Sequence, residues 1–298
     1  MKIYCFLFGL LPMLCIQAAA LAENPAPKSE PAAGKPTTKS SAPVPIPLDI
    51  NGYKTIIAPP EKMSPVKVAI YQGPGAPESS AQNVSKVVKL IPGATAQIIN
   101  AEEVASLDLT AFDTVVFPGG SASQQAKAIG DAGRAKLKDY VKNGGGYVGI
   151  CAGAYLACTN FEWSLGILNA RTVSSKWMRG SGYVDLEVAH DGRPILGDVG
   201  EVFKVRYNNG PIIKPSAQAD LPSYRALSFF RTEVAKNGTP VGVMVDSPAQ
   251  AVSTYGKGRV FISSPHPENT PGLEFLIPRG ILWAAGELNE AEAVPVVP

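Results

Sequence analysis

Apolar positions divide the chain into stretches with different periods. Residues 3–16 are almost wholly apolar, residues 23–65 show little apolar periodicity, and from residue 66 short apolar runs alternate with helically spaced segments. The runs at 66–71, 96–99, 114–117 and 147–150 predict strands. Val84, Val87, Val88 and Ile91 predict a helix over 80–90. Ala126, Ile129, Leu137 and Val141 share one side of a helix over 123–143, closed by Gly144-Gly145-Gly146, and a further helix starts within 152–158. Continuous apolar strands interleaved with amphipathic helices predict a mostly parallel sheet covered on both faces, a doubly wound α/β domain. In such a domain the sites lie at the carboxyl ends of the strands.

The pattern changes after residue 160. Short strands are predicted at 183–188, 202–206, 240–246 and 258–263, separated by turn residues and followed by a helix over 273–287. This reads as a β-rich C-terminal extension of the same sheet. One domain over residues 66–288 results, with a flexible tail at 289–298.

The N-terminal 65 residues carry other signals. Lys2, the apolar run and Ala20-Leu21-Ala22 form a secretory signal peptide over residues 1–22, with cleavage before Glu23. No other stretch is apolar and long enough to span a bilayer, so the expected mature protein has no membrane span and is exported, periplasmic or secreted. Residues 23–65 hold 10 of the 27 prolines and read as a disordered linker.

Composition then narrows the function classes. The 298 residues carry 27 Lys+Arg against 25 Asp+Glu, a formal charge of +2. Such balance argues against a nucleic-acid binder, which needs a clustered basic excess. Signal cleavage removes Cys5 and Cys15 and leaves Cys151 and Cys158. If both lie on one helix, seven residues at about 1.5 Å rise hold them about 10 Å apart. A disulfide needs Cα atoms within about 7 Å, so both are expected as free thiols.

The strongest chemical signal is Gly149-Ile150-Cys151-Ala152-Gly153, a G-x-C-x-G pattern between a buried strand and a helix. Glycines there permit the sharp turn that exposes a nucleophile. A helix N-terminus beneath Cys151 favours an ionised sulfur and offers backbone N–H groups to an oxyanion. One of the two histidines lies in Ser264-Pro265-His266-Pro267-Glu268, directly after the last predicted strand. His266 would accept the proton of Cys151, and Glu268 would orient the imidazole. His190 reads as a surface-turn residue and Cys158 as an apolar-face helix residue. Gly73-Pro74-Gly75-Ala76-Pro77 fails the G-x-G-x-x-G spacing of a dinucleotide site, and no metal-ligand spacing is present. Neither cofactor nor metal is expected. Asn83-Val84-Ser85 and Asn237-Gly238-Thr239 match the glycosylation triplet, a pattern common by chance.

Over residues 66–287 the chain resembles the class I glutamine amidotransferase-like, flavodoxin-like superfamily. Within it the chain is most similar to the domain at the N-terminus of some eukaryotic biotin–protein ligases and in stand-alone exported bacterial proteins. The resemblance rests on Val115-Val116-Phe117-Pro118-Gly119-Gly120, on Gly145 through Tyr155, on Tyr207-Asn208-Asn209-Gly210-Pro211 and on Ser264 through Glu268. It implies Cys151 as nucleophile, His266 as base and then acid, and Glu268 as the orienting carboxylate. Gly119, Gly120 and Ala152 are the implied oxyanion-binding backbone. Two departures weigh against free glutamine as substrate: Tyr155 stands where glutamine-using members carry Gln, and Pro265 replaces an aromatic residue. No synthetase or ligase catalytic domain accompanies the motifs.

The expectation is therefore a thiol hydrolase acting on an amide or related acyl bond of a small-molecule or peptide-like substrate. The alternative is a non-catalytic ligand-binding domain on the same scaffold. Tyr155, Tyr207 and Asn208 are the expected substrate contacts, with Arg179 and Arg206 as further pocket candidates.

Overall fold

The computed structural model describes residues 64–174, 176–288 and 290. The expected signal peptide, nearly all of the linker, and the tail except for residue 290 lie outside the described residues.

Seventeen elements follow in chain order: β1 (Lys67–Tyr71), α1 (Glu78–Val88), β2 (Thr95–Ile99), α2 (Ala101–Ser106), β3 (Thr114–Phe117), α3 (Ala122–Lys142), β4 (Gly146–Ile150), α4 (Ala152–Ala157), β5 (Ala170–Thr172), β6 (Ser181–Val188), α5 (Arg193–Leu196), β7 (Val202–Asn208), β8 (Ile213–Pro215), β9 (Arg225–Phe230), β10 (Pro248–Tyr255), β11 (Gly258–Ser263) and α6 (Leu276–Ala285). Nine strands form one sheet in the order β2-β1-β3-β4-β11-β10-β9-β6-β7, and β5 pairs with β8 separately. The joins from β2 to β11 are parallel, and those from β11 to β7 are antiparallel. The fold is thus the expected doubly wound sheet with a β-rich extension.

Strand periodicity explains how the sheet is covered. In β1, Val68 and Ile70 enter one core and Ala69 and Tyr71 the other; β4 divides Val148 and Ile150 from Tyr147 in the same way. Alternation with both faces buried is why these strands read as continuous apolar runs. Helices α1 and α6 cover the first face, and α3 and α4 cover the second. On the second face Tyr71, Phe117 and Tyr147 stack in a row, with centroids 4.9 and 5.9 Å apart. The Tyr71 hydroxyl donates to Pro74 O and that of Tyr147 to Gly153 O, which ties the loop after β1 and the start of α4 to the core of the sheet.

Three sequence expectations need correction. Residues 240–246 form bends and a turn in place of a strand, with Val241 75% exposed. Gly242 has φ 79° and its N–H donates to both carboxylate oxygens of Glu233, so tertiary contacts override the β-branched composition. The extension is completed by β9 and β10, whose polar residues Ser228 and Gln250 hydrogen-bond each other inside the sheet and mask its period. The helix expected at 123–143 contains Gly130 at φ 64°, ψ −175°, a break within α3. Among the described residues no helix is long and apolar enough to cross a membrane.

Candidate active site

Cys151 sits at the carboxyl end of β4, between strand and helix α4, with φ 49° and ψ −95°. Left-handed backbone at a residue with a Cβ costs about 1–3 kcal/mol and persists only where surroundings enforce it. Here the Cys151 N–H donates to Ser263 O at the end of β11 (2.8 Å), and its carbonyl accepts from Tyr155 N (3.1 Å). The two flanking glycines let α4 press onto the sheet. A Cβ on Gly153 would stand 2.1 Å from Phe117 O, and one on Gly149 2.5 Å from the Gly153 carbonyl.

His266 follows β11 and is fastened by its backbone. Its N–H donates to Arg206 O of β7 (2.8 Å), and its carbonyl accepts from Thr270 Oγ1 (2.8 Å). Thr270 Oγ1 in turn accepts from Arg206 N (3.0 Å). The far strand of the sheet therefore holds the histidine loop over the centre of the sheet. Gly119, after β3, packs against the same ring: a Cβ there would lie 2.7 Å from His266 Cε1 and 3.7 Å from Cys151 Cβ. A side chain at residue 119 would displace the imidazole from the cysteine.

The imidazole Nδ1 lies 2.8 Å from Glu268 Oε1, and both side chains are buried. Asn269 Nδ2 also donates to that oxygen (3.2 Å), and Asn83 of α1 donates to Asn269 Oδ1 (2.6 Å). Burial alone would depress the His266 pKa, but the Glu268 carboxylate and the Cys151 sulfur outweigh it and hold the imidazole well above its ordinary value. His266 Nε2 is buried and has no hydrogen-bond partner of normal geometry, although Cys151 is close enough to act on the ring. The Cys151 thiol donates instead to Asn208 O (3.4 Å).

A cleft of about 430 Å³ opens over these groups. One wall is the first turn of α1 (Pro77, Ser79, Ser80) and the turn into α3 (Gly119 to Ser123). Phe161 and Trp163, stacked at 4.5 Å, form an aromatic wall with Tyr155 and Trp177. Arg206, Asn208 and Asn209 contribute from the end of β7, and His266 and Asn269 from the loop after β11. The turn after β3 is braced by Gln125, whose Nε2 donates to Gly75 O (3.1 Å) and Pro118 O (2.9 Å). Among the described residues no cluster of three or more His, Cys, Asp or Glu is placed to hold a metal ion.

Of the residues singled out in the sequence, Cys151, Gly119, Gly120, Tyr155, Arg206, Asn208 and His266 line this cleft. Glu268 stands behind His266, and Ala152 opens α4, where the first backbone N–H groups have no intrahelical acceptor. Tyr207 and Arg179 are corrections. Tyr207 is fully buried with its hydroxyl donating to Gly210 O (2.7 Å), because strand alternation turns it away from Arg206 and Asn208. Arg179 is also buried and pairs with Glu233 at 3.4 Å. Cys158 is buried, donates to Ala154 O, and burial pushes its thiol up to about 12. Both Cys151 and Cys158 are free thiols. His190 is exposed in a short turn. Sequence reasoning missed the aromatic wall, Gln125 and the Asn83–Asn269 link. The one available signal was the pair Phe161 and Trp163 in a segment without periodicity.

Residues 66–179 match the family model of the biotin-protein ligase N-terminal domain. The matched segment contains Gly119, Gly120 and Cys151 and ends before His266. An uncharacterized protein of Chlamydia muridarum is 41% identical over 49 residues, 16% of this chain and 19% of that protein. The chain thus spans about one fifth of that relative. Among solved structures, a chain in the structure of PurLQS from Thermotoga maritima aligns with TM-score 0.52 at 15% identity, covering 74% of this chain and 98% of the other. A ThuA-like protein from Parabacteroides merdae aligns with TM-score 0.53 at 15% identity, covering 79% and 94%. At these identities the likeness is one of fold, and the fold is glutamine amidotransferase-like.

Proposed function

We propose that this glutamine amidotransferase-like domain is an exported cysteine hydrolase of an amide or related acyl bond, with Cys151, His266 and Glu268 as its reacting group. The observation that carries the reading is the buried His266–Glu268 contact at 2.8 Å beside a cysteine in strained backbone. A carboxylate on Nδ1 fixes the tautomer and leaves Nε2 facing the nucleophile. The raised pKa of His266 suits the imidazole to carry the proton that the leaving group needs.

Cys151 Sγ attacks the substrate carbonyl carbon, forming a C–S bond and a tetrahedral oxyanion near the N–H groups of Gly120 and Ala152. Collapse breaks the C–N bond, and the leaving nitrogen takes the proton carried by His266. Water then attacks the thioester carbonyl and gives a proton to His266. The C–S bond breaks, releasing a carboxylic acid and regenerating the cysteine. Amide and water become acid and amine, with no cofactor in the balance.

The contact of the Cys151 sulfur with Asn208 O favours a second reading, a binding domain whose sulfur is held by a backbone carbonyl in place of the imidazole. Iodoacetamide labelling at neutral pH, read by peptide mass, separates the two. The hydrolase reading expects rapid alkylation of Cys151 with Cys158 protected, and loss of amide turnover by about 10⁴-fold or more in Cys151→Ala. Equally slow labelling of both cysteines would overturn it. Export is tested separately by fractionating cells and sequencing the N-terminus, where Glu23 is expected.

A further inference from the structure

The charge of the cleft is one-sided. Among the described residues that line it there is no Asp or Glu, while Arg206 supplies a guanidinium and His266 an imidazole. Glu78 and Glu162 neighbour lining residues in sequence but do not line the cleft, and Glu268 is committed to His266. The guanidinium of Arg206 makes no ion pair with any described residue; the hydrogen bonds of Arg206 are made by its backbone. Alternation along β7 places the Arg206 and Asn208 side chains on the same face of the strand, and both residues line the cleft with Cys151.

Two helix N-termini add to this. The starts of α1 and α3 both line the cleft, and neither has a side-chain cap. Their first N–H groups carry partial positive charge toward the space between them. His266 lines the same space, with Cys151 against its ring. An ammonium group would find no carboxylate among the described lining residues to pair with. A carboxylate would find Arg206, two helix starts and the hydroxyls of Ser79, Ser80, Ser121 and Ser123.

We infer that the cleft selects an anionic substrate, a carboxylate-bearing amide or acyl compound without a free ammonium group, whose flat or apolar body lies against Phe161 and Trp163. The inference deepens the hydrolase reading and rests on it for the reacting bond. It excludes free amino-acid amides as good substrates and points to N-blocked ones.

Calorimetric titration of full-chain Cys151→Ala with three carboxamides tests the charge class without needing turnover. N-acetylglutamine is the anion, N-acetylglutamine methylamide the neutral analogue and glutamine the zwitterion. The anion is expected to bind about tenfold more tightly than the neutral analogue, with glutamine weakest. Adding Arg206→Gln should remove the preference, and Arg206→Lys should restore part of it. Equal or tighter binding of the neutral compound or of glutamine overturns the inference, as does absence of binding by all three. A parallel measurement on the wild-type chain compares iodoacetate with iodoacetamide at Cys151, relative to a free thiol. Failure of both reagents to label Cys151 removes the nucleophile, while the titration still decides the charge class.

Discussion

The parallel and antiparallel halves of the sheet contribute to the site in different ways. In the parallel half, Cys151 and the Gly119-Gly120 turn follow β4 and β3 directly, so each is placed by its own strand end. The antiparallel half acts at a distance. β7 is the far strand, yet the backbone of Arg206 bonds the N–H of His266 and the hydroxyl of Thr270, and Asn208 O receives the Cys151 thiol. One half holds Cys151 by local turn geometry, and the other holds His266 by long-range hydrogen bonds. Damage to the first should therefore appear as lost stability, and damage to the second as a misdirected histidine.

The largest expected effect tests the meeting point of the halves. Glu268→Gln removes the charge that holds His266 protonated, and hydrolysis is expected to fall about 10³-fold, measured as kcat/KM. The same pair predicts a pH signature. Because the His266 pKa is raised on folding, its stabilisation is complete below about pH 6.5 and is lost as pH rises through the higher folded value. Urea midpoints of the wild type should decline from neutral into alkaline pH, and Glu268→Gln should flatten that slope. An unchanged slope would remove the charged pair from the account.

Gly153→Val strikes the parallel half alone. With Phe117 O only 2.1 Å from the new Cβ, stability is expected to drop by about 3 kcal/mol or more, read by chemical denaturation. Thr270→Val strikes the joint with β7. It strips Arg206 N of its partner, leaves His266 O with only the Asn269 N–H, and should cost about 1–3 kcal/mol. Alkylation of Cys151 should slow in this variant more than its stability loss explains; proportionate changes would show that β7 does not aim the histidine. Tyr207→Phe is the mildest. Losing the bond to Gly210 O should cost about 1 kcal/mol and leave substrate KM unchanged, since the ring does not reach the cleft. Altered KM would return Tyr207 to the binding surface.

Legibility in the sequence followed the same division. The strands around Cys151 are buried on both faces and read as apolar runs, and the glycine pattern at 149–153 carries its turn locally. In the extension, β10 holds Gln250 and Ser253, and 240–246 looks like a strand while forming bends. There the pairing partner decides the conformation more than the segment's own composition does. Tyr207 was misassigned because its neighbours on both sides do reach the cleft, and alternation is visible only once the buried face is known.

Residue order by itself determined the doubly wound class, the position of Cys151 at a strand end and the pairing of His266 with Glu268 two residues later. These depend on local periodicity and short spacing. Only the tertiary structure decided that the end of β7 reaches the site, that Phe161 and Trp163 line it, and that no acidic residue among those described does. Contacts such as that between Arg206 and His266 join residues 60 positions apart, and no local pattern encodes which of many exposed side chains the curved sheet brings together.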